Sequence, residues 1–130
     1  MRPPFRFVSE LVDREPGKWA RGRVCFWQAI SDLEKEALVP PELLIEAAAQ
    51  VGLLINLAEA APDPEARHML AAVDRFEWSR PVRAAEVCEI ETRATLQRGG
   101  WETQEATITV GGEAVASGRL IGFSQSGNKR

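Results

Sequence analysis

Leu43-Leu44-Ile45-Glu46-Ala47-Ala48-Ala49-Gln50-Val51-Gly52-Leu53-Leu54-Ile55 is the stretch on which the reading of this chain turns. It is rich in Leu and Ala and apolar nearly all round, which predicts a buried helix. Pro40-Pro41 stands at its start, where the missing proline N–H costs nothing. Pro62-Asp63-Pro64 ends it near residue 60. A helix of roughly 20 residues spans about 30 Å, the width of a small domain. One carboxylate, Glu46, and one amide, Gln50, are set into it. Glu is almost never fully buried without a partner, and burial of a carboxyl favours its neutral form. Glu46 is therefore the candidate acid or base of this chain. Gln50, one turn on, falls on the same side and is placed to orient it.

Outward from the helix the periodicity changes to two. Before it, residues 7–11 predict a short strand and residues 12–17, punctuated by Pro16-Gly17, a turn. Residues 19–27 predict a second strand, with Ala20, Gly22, Val24 and Phe26 on the core face and Trp19, Arg21, Arg23, Cys25 and Trp27 opposite. Residues 28–39 form a polar connection. After the helix, 70–78 begins a series of strands. In 87–97, Cys88, Ile90, Thr92, Ala94 and Leu96 share one face. Gly99-Gly100 and Gly111-Gly112 are hairpin turns bracketing 101–110 and leading to 113–123. The expected class is α+β: an antiparallel sheet of about five to six strands wrapped around one long buried helix. Residues 1–124 form one domain, and 125–130 a flexible tail.

Composition narrows the function. A net charge of −3, with no Lys/Arg block, argues against nucleic-acid binding. The helical run is too short and too interrupted to span a membrane. The N-terminus has no signal-peptide stretch, so the expected location is cytoplasmic. Cys25 and Cys88 form no CxxC and are expected as reduced core residues. With a single histidine, His68, the chain builds no multi-histidine metal site, and no cofactor is expected.

Three stretches resemble a known family. Leu11-Val12-Asp13-Arg14 followed by Gly17 and Ala20 is one. Pro40-Pro41-Glu42-Leu43-Leu44-Ile45-Glu46-Ala47-Ala48-Ala49-Gln50 is the second. Val73-Asp74-Arg75-Phe76-Glu77-Trp78-Ser79-Arg80-Pro81-Val82 is the third. Together they resemble the 3-hydroxyacyl-[acyl-carrier-protein] dehydratases of FabZ and FabA type, which have the hotdog fold. The resemblance implies an acyl-ACP or acyl-CoA thioester as substrate, in fatty-acid or polyketide-like biosynthesis. It also implies a dimer formed through the sheet edge, either a homodimer or a heterodimer with another hotdog subunit. In that family a histidine takes the α-proton and the helix carboxylate, here Glu46, helps the 3-hydroxyl leave as water. Gln50, Pro41 and Glu42 are the implied substrate-binding positions, the last two at the helix start where backbone N–H groups polarise a carbonyl.

The sequence departs from that pattern at the base. The family carries its histidine in a Gly-His-Phe-Pro-Gly turn before the helix. Ungapped counting from Glu46 lands on Asp32, in Ser31-Asp32-Leu33-Glu34-Lys35-Glu36. Asp32 is the weaker catalytic candidate. His68 is expected at the start of the strand after the helix, away from that turn. Three readings stay open: a dehydratase using Asp32 or a partner's histidine, a non-catalytic acyl- or carrier-binding subunit of a heterodimer, and an acyl thioesterase.

Overall fold

A computed structural model describes residues 7–30, 32–56 and 67–125. The chain runs β1 (Val8–Glu15), β2 (Trp19–Val24), α1 (Phe26–Ala29), α2 (Pro41–Asn56), β3 (Arg67–Trp78), β4 (Cys88–Arg98), β5 (Trp101–Val110) and β6 (Glu113–Gln125). The six strands form one antiparallel sheet in the order β1-β2-β4-β5-β6-β3. β1 and β3 are its open edges. The helix lies against β1, β2, β4 and β5. This is the hotdog arrangement expected from the sequence. The helix terminator at Pro62–Pro64 and the tail 126–130 lie outside the described residues, as does the side chain of His68.

Period-two alternation explains the sheet's faces. Ala20, Gly22 and Val24 are buried, as are Cys88, Ile90 and Thr92, while Arg21, Arg23, Glu89 and Glu91 line the outer face. There Arg21 pairs with Glu91 at 3.0 Å and Arg23 with Glu10 at 2.7 Å and Glu89 at 3.1 Å. Such exposed pairs add little stability. The two Gly-Gly hairpins form as expected, and all four of their glycines have positive φ.

Four details differ from expectation. β1 runs on to Glu15, because Asp13, Arg14 and Glu15, expected in a turn, pair with Arg21, Ala20 and Trp19 of β2. β2 ends at Val24, and Phe26–Ala29 makes one helical turn whose Phe26 side chain is still buried in the core. The chain bends because the Trp27 N–H leaves the sheet for the Ala84 carbonyl, 2.9 Å away. Leu96 is 61% exposed rather than inward. A bulge between Ala94 and Leu96 shifts the register by one residue and turns Leu96 to the outer face. The helix is also buried on one side only. Leu44, Ala47, Ala48, Val51, Leu54 and Ile55 are buried, whereas Leu43, Ile45, Glu46, Ala49 and Leu53 are half-buried.

Small residues bring helix and sheet close, and side-chain hydrogen bonds from β4 and β5 join them. Thr92 Oγ1 donates to the Ala48 carbonyl at 3.2 Å. Gln104 Nε2 donates to the Gly52 carbonyl at 3.4 Å. A Cβ at Gly52 would meet that amide, so a side chain there would displace Gln104 from the helix.

The last helical carbonyls lack intrahelical donors, and the β1–β2 hairpin supplies them. Arg14 Nη1 donates to the Leu54 carbonyl at 2.6 Å, and the Gly17 N–H to that of Ile55 at 2.9 Å. Arg14→Leu is expected to lower the unfolding free energy by about 1.5–3 kcal/mol, the range for a hydrogen bond to a charged group. Urea denaturation of the two proteins checks this.

Candidate functional site

The candidate site begins where α2 begins. Pro41 opens the helix and is exposed, next to Pro40. Beside them lies an open apolar groove of about 460 Å³ between two walls, residues 38–41 with Leu44 on one side and 78–82 on the other. Main-chain hydrogen bonds hold the walls in register. Val39 N–H donates to the Val82 carbonyl at 2.8 Å and, just beyond, Ala84 N–H to that of Ala37 at 2.8 Å, while Ser79 N–H ties the second wall to Val115 of β6 at 2.9 Å. Leu38 and Arg83 form a bridge between them.

Arg80 lines the groove, yet its charge is spent elsewhere. Its guanidinium meets Glu86 in a two-pronged contact of 3.1 and 3.2 Å and Glu113 at 3.6 Å. The Glu86 carboxylate also accepts the Arg83 N–H at 2.8 Å. The Arg80 contact, with the Arg83 N–H, holds the Glu86 carboxyl below its ordinary 4.5 against the opposing effect of burial. A depressed folded pKa gives stability that is complete above the ordinary range and lost as the pH falls through the folded value. Glu86→Gln is therefore expected to be less stable than the parent at pH 7. The difference should narrow once the pH falls below about 4.5, as urea midpoints at the two ends would show.

Glu46 lies elsewhere on α2. At 100° per residue it stands about 200° around the helix from Leu44, the residue facing sheet and groove. It is half-buried, on an arc with Ile45, Ala49 and Leu53, and does not line the groove. Gln50 is buried, and its Oε1 accepts the Phe7 N–H at 3.0 Å, which fixes the amide's orientation and ties the start of β1 to the helix. Glu42 is exposed on the first turn, and Asp32 is exposed in the loop after α1. A single chain thus brings Pro41 to the groove and leaves Asp32, Glu42, Glu46 and Gln50 off its lining.

Sequence reading missed the wall 78–82 as a site element, although Arg80-Pro81-Val82 had been noticed as a motif. Its signal is Pro81, which follows the end of β3 at Trp78. Cys25 and Cys88 are buried free thiols. Burial first, then the nearby Glu86 and Cys25, pushes the Cys88 thiol up to about 12, so it behaves as an apolar core residue. Among the described residues no three His, Cys, Asp or Glu side chains are grouped to hold a metal ion. No helix among them is long and apolar enough to cross a membrane.

No protein-family model matches the sequence. Individual proteins do. The chain is 31% identical over 126 residues to a 3-hydroxyacyl-[acyl-carrier-protein] dehydratase FabZ of Natranaerobius thermophilus, covering 92% of this chain and 86% of that protein. The chain belongs to the FabZ dehydratase family. A second FabZ, from Herpetosiphon aurantiacus, is 30% identical over 125 residues, covering 92% of this chain and 87% of that one. Solved structures agree on the fold of this FabZ-family chain. The dehydratase heterocomplex ApeI:P from Xenorhabdus doucetiae superposes with a TM-score of 0.73 at 16% identity, over 98% of this chain and 88% of that chain. A thioesterase from Haemophilus influenzae does so with a TM-score of 0.67 at 11% identity, over 91% and 79%.

Proposed function

We propose that this chain serves as a dehydratase-type subunit for 3-hydroxyacyl thioesters, with Glu46 handling the 3-hydroxyl and a partner subunit supplying the base. The observation that carries this reading is the placement of Glu46. It sits half-buried among Ile45, Ala49 and Leu53 on the arc of α2 turned away from its own sheet, a surface suited to being covered by a second subunit. In the reaction a base removes the α-proton of the thioester while protonated Glu46 gives its proton to the leaving hydroxyl. The Cα–H and C–O bonds break, the Cα–Cβ double bond forms, and water departs. A partner covering this arc would exclude water from the step.

The helix start gives less help with the carbonyl than a standard N-terminus. Pro41 has no N–H, and the Leu43 N–H turns back to the Pro40 carbonyl at 3.0 Å. This thins the set of donors available to a developing oxyanion. Together with Asp32 where the family pattern has histidine, it supports a heterodimer whose other hotdog subunit brings the base and the carbonyl-polarising turn. It also supports the second reading, a subunit that binds an acyl group or its carrier without chemistry.

The test follows formation of the enoyl thioester from a 3-hydroxyacyl-ACP. The chain is assayed alone and after co-expression with a hotdog subunit carrying Gly-His-Phe-Pro. Turnover only with the partner supports the proposal. Turnover by the chain alone places the base within it, with Asp32→Asn as the next variant. Release of free thiol identifies a thioesterase, and silence in every arm identifies the non-catalytic subunit.

A further inference from the structure

We infer that the outer face of the sheet beyond the β4 bulge, built on Leu96, Arg98, Trp101, Ile121 and Phe123, docks the chain onto an anionic phospholipid surface. The contact is peripheral: the protein rests on the lipid and does not span it.

The polarity of the sheet inverts at this end. Along β2 and most of β4 the inner face is apolar and the outer face carries paired charges. Past the bulge between Ala94 and Leu96 the inner pair is Gln97 opposite Glu102, joined by a side-chain hydrogen bond. The outer pairs are Leu96 opposite Thr103 and Arg98 opposite Trp101. On β6 the row continues with Phe123 beside Trp101 and Ile121 beside Thr103, and the Trp101 and Phe123 rings lie 4.8 Å apart. Leu96 is 61% and Trp101 51% exposed. A contiguous exposed apolar patch with a polar rim marks a contact surface.

Position, area and charge speak against a protein occupant. The helix and its Glu46 arc lie on the inner side of the sheet, so a subunit covering that arc leaves the patch open. A second copy stacked back to back would have to bury the pairs Arg21–Glu91, Arg23–Glu89 and Arg119–Glu105 that fill the rest of the outer face, at a heavy desolvation cost. Half an indole, most of a leucine and parts of two more side chains amount to about 300 Å². A stable protein interface takes roughly 800 Å² from each partner. Arg98 is exposed and meets no carboxylate among the described residues. Glu105 and Asp74 are both held by Arg119, at 2.8 and 3.5 Å, and Glu102 lies on the other face with Gln97 and Gln104. A second copy would bring another Arg98 and no acid to receive either.

A lipid surface meets each of these conditions. It is deformable, so a small patch needs no partner of matching shape. Leu96, Ile121 and Phe123 offer apolar area to the acyl boundary. The Trp101 ring is apolar with one N–H donor, the kind of side chain that settles at headgroup depth. Arg98, its cross-strand neighbour, lays its stem along apolar surface and keeps its charge at the phosphates. Gly99-Gly100 turns the chain between them, which puts both at the tip of a hairpin.

The test measures partition of the full-length chain onto vesicles by co-sedimentation, with phosphatidylcholine alone and with an equimolar mixture of phosphatidylcholine and phosphatidylglycerol. The parent should bind the mixed vesicles and bind pure phosphatidylcholine more weakly. Trp101→Thr and Leu96→Thr keep a good strand former at each position, and each should weaken binding to the mixed vesicles about tenfold. Arg98→Gln should weaken it about fivefold, the weight of one cation at an anionic surface, with little effect on pure phosphatidylcholine. Val87→Thr, an exposed apolar position just before the other end of β4, should behave like the parent. Should Trp101→Thr fail to fold by circular dichroism, Leu96→Thr and Arg98→Gln still decide. No binding of the parent to the mixed vesicles overturns the inference, and self-association of the parent that Leu96→Thr abolishes would then give the patch to a second copy. Binding that the folded patch variants leave unchanged overturns it as well. No thioester and no partner subunit enters the experiment, so either outcome leaves the dehydratase reading as it stands.

Discussion

Glu46→Gln is expected to lower dehydration by the assembled subunits by about 10²–10⁴-fold, the usual weight of a positioned general acid. Gln has nearly the size of Glu and keeps its hydrogen-bonding reach, but it has no acidic proton to give the leaving hydroxyl. The loss should therefore fall on kcat with KM little changed, because the interaction removed is made chiefly in the transition state. Fold and assembly should survive. Glu46 is half-buried on the outer arc of α2, and the contacts that hold the helix to the sheet come from Leu44, Ala48, Val51, Gly52 and Ile55. The measurement is steady-state enoyl formation from a 3-hydroxyacyl-ACP, with Glu34→Gln, an exposed loop carboxylate, as the control that should behave like the parent. Unaltered turnover in Glu46→Gln would move the acid to another residue.

Gly118→Ala should produce the largest loss of stability, about 3 kcal/mol, at the upper end of ordinary overpacking. For a domain of this size that is a fall of about 10 °C in Tm. Gly118 lies in β6 opposite Phe76 of β3. A methyl group there would fall on the Arg75 carbonyl oxygen and on the Phe76 ring, both far inside van der Waals contact. A flexible side chain yields cheaply, but a backbone carbonyl in a ladder does not. Relief would require β3 to lift from β6, which would also displace Trp78 at the end of that strand. Gly111→Ala makes the comparison, since space around Gly111 is open and only its φ of +59° resists a side chain. It should cost about 1–2 kcal/mol. Thermal melts of the two variants and the parent separate the steric effect from the conformational one.

Much of the fold was legible in the sequence because its signals are local. Leu43 to Ile55 reads as a helix from its own composition, and Pro41 marks its start. Cys88, Ile90 and Thr92 reveal an inward face because side chains alternate along a strand. Gly99-Gly100 and Gly111-Gly112 announce hairpins because two successive residues need positive φ there. The resemblance carried by Pro40 to Gln50 also pointed to the family from sequence, and the FabZ relatives bear it out.

Other features depend on contacts between residues far apart in the chain, and local pattern does not encode those. The inward assignment of Leu96 followed correctly from alternation and failed at a bulge, which only the β4–β5 pairing reveals. The strand predicted to run through Trp27 stops at Val24 because Trp27 bonds to Ala84, 57 positions away. Gln50 was placed beside Glu46 by helix geometry, yet its carbonyl oxygen is held by Phe7 from the start of β1. The groove has walls some 40 residues apart in sequence, and nothing in either segment names the other.

The sequence by itself thus determined that one long helix stands among a set of strands, their order, and the carboxylate that the helix carries, since periodicity and composition are properties of neighbouring residues. Only the tertiary structure decided that this carboxylate faces away from its own sheet while the apolar groove opens on the other side of the same helix. The reason is physical. A helix's own pattern says how much of its surface is apolar, but which arc is buried is fixed by the sheet that packs against it.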